Sequence, residues 1–136
     1  MKTDIKHLAA FAAVAIWADG EYDEAEKIAL EEIAEAFELD QTTLLNEVDT
    51  ALTEIENKSE EEINDYLYAH SAEIEEEEAD YIFEAMLEIT LIDGILSCDE
   101  VSNLMSMAGA LGIDDERAIL MLVDMAKEES DLKVKF

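Results

Sequence analysis

The sequence predicts an all-α protein, a compact bundle of about seven helices. Half of its 136 residues are hydrophobic, and they recur at helical spacing. The chain has no proline and four glycines, which are too few turn residues for a strand-rich fold. Its length is that of one domain, which we assign to residues 1–130, and residues 131–136 are expected to form a frayed C-terminal tail.

The first four predicted helices are marked by the residues at their ends. The first covers residues 3–18 and is apolar nearly all round, which is typical of a helix buried at the centre of a fold. Gly20 follows it at the position of a C-terminal stop. The next three helices begin at N-cap residues, two of which form a capping box with a glutamate three positions later: Asp23 with Glu26, Asp40 alone, and Ser59 with Glu62.

The last three predicted helices follow a boundary near His70-Ser71 that neither glycine nor proline marks. Three pairs of residues then mark the remaining ends: Asp93-Gly94 closes the fifth helix, Ser97 with Glu100 is a third capping box that opens the sixth, and Gly112 with Asp114 separates the sixth from the seventh. Seven helices joined by short turns are the pattern of a helical bundle.

Two parts of the chain match each other at an offset of 74 residues. The offset relates a whole pattern, namely an apolar helix, an Asp-Gly turn, a capped helix and a closing aspartate. The matched pairs include Asp19/Asp93, Gly20/Gly94, Glu26/Glu100, Leu30/Leu104, Ala34/Ala108 and Asp40/Asp114. We interpret these parts as two related helical units within one domain, rather than as a long repeat array.

Each unit contains the pattern Asp-Gly-x-apolar-x-x-x-Glu, which is the second half of an EF-hand calcium loop. The last carboxylate of such a loop binds the ion through both oxygens. The first half of the loop is missing, because apolar residues occupy the earlier ligand positions: Ala15 and Trp17 in one unit, Ile89 and Leu91 in the other. A complete EF-hand is therefore not predicted.

The Asp-Gly turns have a purely structural interpretation as well. Glycine ends one helix, the apolar residue fills the corner, and Glu26 or Glu100 caps the next helix. This interpretation does not explain Asp19 and Asp93, because the macrodipole repels an acidic residue at a helix C-terminus. The two aspartates either accept hydrogen bonds from the amides of the following helix or hold a cation, and the sequence leaves both open.

The repeated turn, the helical pattern and the acidic balance resemble the TerB-like tellurite-resistance family, over roughly residues 5–126. The resemblance implies a bundle in which acidic residues from both turns form a negative cluster that is proposed to bind a divalent cation, most readily calcium. It also implies a bacterial cytoplasmic protein that is linked to tellurite and other stress responses through protein partners. The implied ligands, with two additional ones from the first unit at the end, are Asp19, Glu26, Asp93, Glu100, Asp23 and Glu24.

The second unit is the poorer half of this candidate site. Ser97 and Cys98 stand where the first unit has Asp23 and Glu24. A symmetric pair of ion sites is therefore not expected. A carboxylate cluster suits Ca²⁺, which takes about 6–8 oxygen ligands in flexible geometry.

The charge of the chain excludes several partners. With 37 acidic and 8 basic side chains, the net charge is -29, which disfavours nucleic acid and anionic membrane surfaces. The longest apolar run, residues 8–18, is too short to span a bilayer, so no direct membrane insertion is expected. This run resembles a secretory signal. We do not expect one, because the same pattern, an apolar run followed by Asp-Gly, recurs inside the chain where no signal peptide could be. Cys98, the single cysteine, allows no internal disulfide, and we expect a cytoplasmic protein.

The sequence contains no phosphate-binding glycine loop, no nucleophile elbow and no metallohydrolase signature, so we expect no enzymatic activity. The expected function is a calcium-binding stress-response and tellurite-resistance module that acts through protein partners. The alternative is an acidic interaction module in which the same residues only cap helices and the acidic surface docks on a basic partner.

Overall fold

The computed structural model of the chain describes residues 3–20, 22–92, 94–128 and 133–135. For Asp19, Ile95 and residues 133–135 it describes the backbone and not the side chain. Seven α-helices in these ranges confirm the predicted all-α bundle. Their bounds are α1 Ile5–Asp19, α2 Glu24–Ala36, α3 Gln41–Ile55, α4 Glu60–Ser71, α5 Ala79–Leu91, α6 Cys98–Ala110 and α7 Asp115–Lys127. Within the same ranges, no helix has both the length and the apolar character that a membrane span requires.

Helix α1 is the centre of the bundle, as its sequence predicts. Every side chain from residue 8 to residue 16 is at most 2% exposed to solvent. Helices α3, α4, α5 and α6 pack against it, and buried side chains from all seven helices join one hydrophobic core. A helix that is surrounded in this way needs no polar face, which explains why its apolar residues follow one another without a helical period.

The three predicted capping boxes are confirmed. The backbone amide of the N-cap residue donates to a carboxylate oxygen of the glutamate three positions later, at 3.3 Å in α2, 3.2 Å in α4 and 3.0 Å in α6. The side chain of Asp40 caps α3 by accepting from the Thr43 amide at 2.9 Å. Local side-chain oxygens therefore satisfy amides that a helix start leaves without a backbone partner.

The weakly marked boundary after α4 is stabilised by the start of the chain. A 3-10 turn, Glu76–Glu78, leads into α5. Thr3 is 5% exposed, and both its amide and its hydroxyl donate to Glu78 Oε1, at 2.7 and 2.5 Å. The Thr3 hydroxyl also accepts from the Glu75 amide at 3.2 Å. This contact, between residues 75 positions apart, fixes the turn without glycine or proline.

One short strand pair departs from the helical pattern. Strands β1 Ile95–Ser97 and β2 Lys133–Lys135 run parallel, with Ile95 opposite Lys133. The backbone of Lys133–Lys135, which lies within the predicted C-terminal tail, pairs with the segment that leads into the α6 N-cap. Residues 131, 132 and 136, which belong to the same predicted tail, lie outside the described residues.

The offset of 74 residues also relates the helix bounds. It maps the first and last residues of α2 onto those of α6, and the first residues of α1 and α3 onto those of α5 and α7. The helix ends agree as well: the amides of Leu39 and Ile113 donate to the carbonyls of Ala34 and Ala108, at 2.7 and 2.9 Å. Glu38 and Gly112, at the same place in the two turns, have φ of 59° and 76°.

Candidate functional site

One of the two Asp-Gly turns closes α1, and the other precedes β1. Gly20 has φ 79°, and its amide donates to the carbonyls of Ile16 and Trp17 at 3.0 and 3.2 Å, so it is the predicted C-terminal stop. Gly94 has φ 75°. A positive φ is costly for any residue with a Cβ, which accounts for glycine at both places. The predicted ligand Asp93 lies outside the described residues, and of Asp19 only the helical backbone is described.

The apolar residue of each turn fills the corner, as the structural interpretation requires. Leu96 is 5% exposed, and Tyr22, at the same place in the first turn, is partly buried. Burial, followed by the charge of Asp49 on α3 and a hydrogen bond to its side chain, raises the pKa of Tyr22 to about 12. The first corner is thereby joined to α3.

Glu26 and Glu100 are buried carboxylates at corresponding positions. They are 1% and 5% exposed, and each accepts from the amide of its N-cap residue. Burying an ionised carboxylate is costly unless hydrogen bonds or opposite charge compensate it. The amides and the positive end of the helix dipole supply part of that compensation. The exposed Glu62 forms the same kind of capping box, so capping alone does not require that Glu26 and Glu100 be buried.

Asp23 and Glu24 lie at the exposed start of α2. The Asp23 carboxylate accepts from the Ala25 amide at 3.1 Å, and the Asp23 amide donates to Glu26 Oε2 at 3.3 Å. The neighbouring Glu26 side chain, ahead of the bonds from backbone amides, lowers the pKa of Asp23. The structure therefore brings two of the six predicted ligands, Asp23 and Glu26, into direct contact.

Among the side chains that the structure describes, no group of three or more histidine, cysteine, aspartate or glutamate residues is arranged to hold a metal ion. The ligand sets that include Asp19 or Asp93 are outside that search. The described geometry explains Asp23, Glu26 and Glu100 as helix caps. The predicted cation site at the two turns stays a prediction.

A comparison with protein-family models identifies the family. The model described as Tellurite resistance protein TerB matches residues 5–122, which is most of the chain. This chain belongs to the TerB family. The resemblance seen in the Asp-Gly turns is thereby confirmed. A search of curated proteins and a search of solved structures gave no match.

Sequence reasoning missed a polar pocket beside the first turn of this TerB-family chain. The pocket has a volume of about 350 Å³ and lies between the end of α1 and helices α4 and α6. Trp17 forms one wall, and the α6 side is lined by Asp99, Ser102, Asn103 and Ser106. These four polar residues recur at helical spacing on α6, opposite the buried Leu104, Met107 and Ala108. That polar stripe is the signal in the sequence for this face of α6.

A second concave surface lies on another part of the TerB-family bundle, between α2, α5 and α7. It is a groove of about 380 Å³, and one of its lining residues, Glu88, contacts Glu32 on α2. Burial, then the hydrogen bond with Glu32 and its charge, raises the pKa of Glu88 to about 7. Part of the Glu88 carboxyl groups are therefore still protonated near neutral pH.

The two histidines of the chain form a pair that the sequence does not reveal. His7 on α1 and His70 on α4 have their Nδ1 atoms 2.8 Å apart, and the His70 ring also contacts the ring of Tyr66. A hydrogen bond between two ring nitrogens requires that one of them carry no proton. Burial, followed by the charge of His7, lowers the pKa of His70.

Proposed function

We propose that this TerB-family protein is a cytoplasmic, non-enzymatic tellurite-resistance and stress-response module that binds a divalent cation, calcium above others, at its Asp-Gly turns and acts through a protein partner. The observation that supports it is the burial of Glu26 and Glu100 at corresponding positions, each in the first turn of the helix that follows an Asp-Gly pair. Both helices bring a carboxylate to the same place in the corner.

The chemistry of the corner favours a cation over other ligands. Residues 19–26 contain five carboxylates and no basic side chain. Neighbouring carboxylates repel one another, and a divalent ion relieves the repulsion of several at once. Binding to the folded state alone then stabilises the protein by mass action. Occupancy would fix the two turns and thereby change the surface that the module offers to its partner.

We infer that the two turns belong to an internal repeat. The shared offset of the helix bounds and of the hydrogen bonds that close α2 and α6 supports this interpretation. In a repeat, Glu26 and Glu100 are equivalent rather than similar by chance, and a ligand role proposed for one applies to the other. The second half is poorer in carboxylates, so the expected site is one shared cluster and not two equal ones.

The alternative function is that of an acidic interaction module without a specific ion. The capping of α2 and α6 favours it, because Asp23, Glu26 and Glu100 each have a structural role there. Asp19 and Asp93 would then bond to nearby amides, and the acidic surface would attract a basic partner by long-range electrostatics. The two functions differ in whether the charge on the buried glutamates is needed for a selective response to calcium.

Glutamine substitution separates these functions. Gln retains an oxygen that accepts the cap amide, as a capping box requires, but it removes the charge that a cation needs. We would compare wild type with Glu26→Gln/Glu100→Gln, and with Asp19→Asn/Asp93→Asn. Glu62→Gln is the matched control, because it alters a capping box that follows no Asp-Gly turn.

The measurements are the melting temperature and Trp17 emission in CaCl₂, MgCl₂ and NaCl at matched ionic strength. At calcium about 100-fold above Kd, a specific site adds about 2.7 kcal/mol to the free energy of unfolding. We expect that gain in wild type and in Glu62→Gln, and its loss in both double variants. Equal responses to both divalent ions in every variant would indicate diffuse screening, and the ion site would be abandoned in favour of the alternative.

A further inference from the structure

The groove between α2, α5 and α7 combines an apolar floor with an acidic rim. Ile33 and Ala85, both buried, form the bottom, and the partly buried Met125 closes the α7 side. Its remaining described lining residues are Ala36, Phe37, Tyr81, Glu84, Glu88 and Glu128. Of the described residues that line the groove, none is basic. An apolar centre inside a polar rim is the arrangement of a protein-binding surface.

The positions of the glutamates define the occupant. Glu84 and Glu88 are one turn apart on α5, and Glu128 lines the groove from the end of α7. A ligand in the groove meets negative charge from both helices and apolar surface beneath. An amphipathic helix with an apolar stripe between Lys or Arg residues matches that pattern, since such a helix places its anchors at spacings of three and four residues.

We propose that this groove docks a basic amphipathic helix of a protein partner, with apolar anchors against Ile33, Ala85 and Met125 and cationic side chains paired with Glu84, Glu88 and Glu128. The proposal rests on that part of the proposed function in which the module acts through a protein partner. It uses none of the six predicted cation ligands. A second copy of this chain is a poorer occupant, because it would bring the same net charge of -29 to the interface.

The carboxyl pair of Glu32 and Glu88 gives the proposed interface a distinct signature. Near neutral pH Glu88 is still partly protonated, which limits its repulsion with Glu32. A Lys or Arg of the bound helix beside Glu88 would compensate the carboxylate charge in place of the proton, and the proton would be released. The other titratable groups at the groove are Glu84 and Tyr81 on α5 and Glu128 after α7, so no described basic group opposes this release. Binding should therefore tighten as the pH rises through about 7.

The probe is a synthetic helical peptide of about 18 residues, with leucines at spacings of three and four and lysines on both flanks. A scrambled peptide of the same composition has the same charge but no apolar stripe. We would measure the binding of both labelled peptides to the full chain by fluorescence anisotropy, over a range of salt concentrations and from pH 6 to pH 8. Each titration is repeated with EDTA and with calcium.

Two variants and two matched controls test the location. Glu84→Gln/Glu128→Gln removes rim charge, and Glu56→Gln/Glu61→Gln removes two exposed glutamates that are not among the residues lining the groove. Ala36→Arg fills the groove from an exposed helix position, and Ala69→Arg makes the same change on α4. Both alanines are helical and exposed, so the arginine variants should fold equally well.

We expect wild type to bind the amphipathic peptide at least about tenfold more tightly than the scrambled one, since charge alone does not distinguish them. The rim variant should bind about tenfold more weakly, and Ala36→Arg more weakly still, while both controls stay within about twofold. Equal binding of the two peptides, or binding that Ala36→Arg leaves unchanged, would overturn the proposal. A wild-type dimer that Ala36→Arg dissociates, with no binding of the peptide, would assign the groove to a second copy and would overturn it too.

The calcium experiment remains separate from this one. Its variants lie at the Asp-Gly turns, and the peptide experiment alters the groove. Peptide binding that survives EDTA, together with a failed calcium response, would retain the groove and reject the ion site. The reverse result would retain the ion site and reject the groove.

Discussion

Replacing Glu88 with glutamine tests the carboxyl pair at the groove. Folding raises the pKa of Glu88 from 4.5 to about 7, because the side chain is partly buried and bonded to Glu32. The folded protein thus holds this proton more tightly than the unfolded chain does. The stability that this tighter proton binding contributes is fully present below pH 4.5 and is lost as the pH rises through about 7. Wild type therefore carries a repulsive pair at pH 8 that the glutamine variant lacks.

The size of the effect follows from the change in pKa and the exposure of the pair. For a fully buried group, the rise from 4.5 to about 7 would correspond to about 3 kcal/mol. Glu88 is only partly buried and Glu32 is exposed, so solvent screening reduces the expected value to about 1 kcal/mol. The glutamine amide can still donate to Glu32. Glu88→Gln should raise the melting temperature by about 1 °C at pH 5.5 and by about 4 °C at pH 8.

The assay is thermal unfolding followed by circular dichroism, at several pH values between 5.5 and 8.5 and at constant ionic strength. Glu61→Gln, an exposed position on α4, is the control for the loss of one negative charge. We expect its effect on the melting temperature to stay constant over this range. An effect of Glu88→Gln that is equally constant would refute the raised pKa of Glu88.

Four further variants test single features of the fold. Burial lowers the pKa of His70, so the stability that the neutral ring contributes is present above pH 6.5 and declines below it. His70→Gln should therefore flatten the fall in stability on acidification, measured by urea denaturation. An unchanged slope would contradict this. Glu38→Gly relieves a positive φ and should add about 0.5–1 kcal/mol to the free energy of unfolding, measured by chemical denaturation. Gly112→Ala should lower that free energy by about 1 kcal/mol, because Gly112 also has a positive φ. A loss of stability in Glu38→Gly would show that φ is not the cause. Ser59→Ala should cost about 1 kcal/mol through the lost cap, and an unchanged denaturation midpoint would argue against that cap.

The local signals in the sequence were sufficient for the helices. A capping box involves residues three positions apart, so Ser97 and Glu100 identify the start of α6 without knowledge of the rest of the chain. Gly20 likewise marks the end of α1 by its conformation alone. The boundary before α5 is weakly marked, because it depends on the contact between Thr3 and Glu78, which are 75 positions apart.

The candidate site could be predicted only in part for the same reason. The Asp-Gly turns and the capping role of Glu26 are local patterns and were visible in the sequence. The near-complete burial of Glu26 and Glu100 depends on which elements pack over them, and a capping box does not encode it. The pairs His7 with His70 and Glu32 with Glu88 join different helices, and a chain with 37 acidic residues gives no means of selecting one carboxyl pair from many.

The enclosure of α1 has a consequence for how the protein opens. An amphipathic surface helix can detach while the rest of a bundle persists, but residues 8–16 are covered on every side. Exposing their amides to solvent requires that the surrounding helices separate first. Hydrogen exchange along this stretch should therefore report the free energy of global unfolding, and the slowest-exchanging amides of the molecule should be found there.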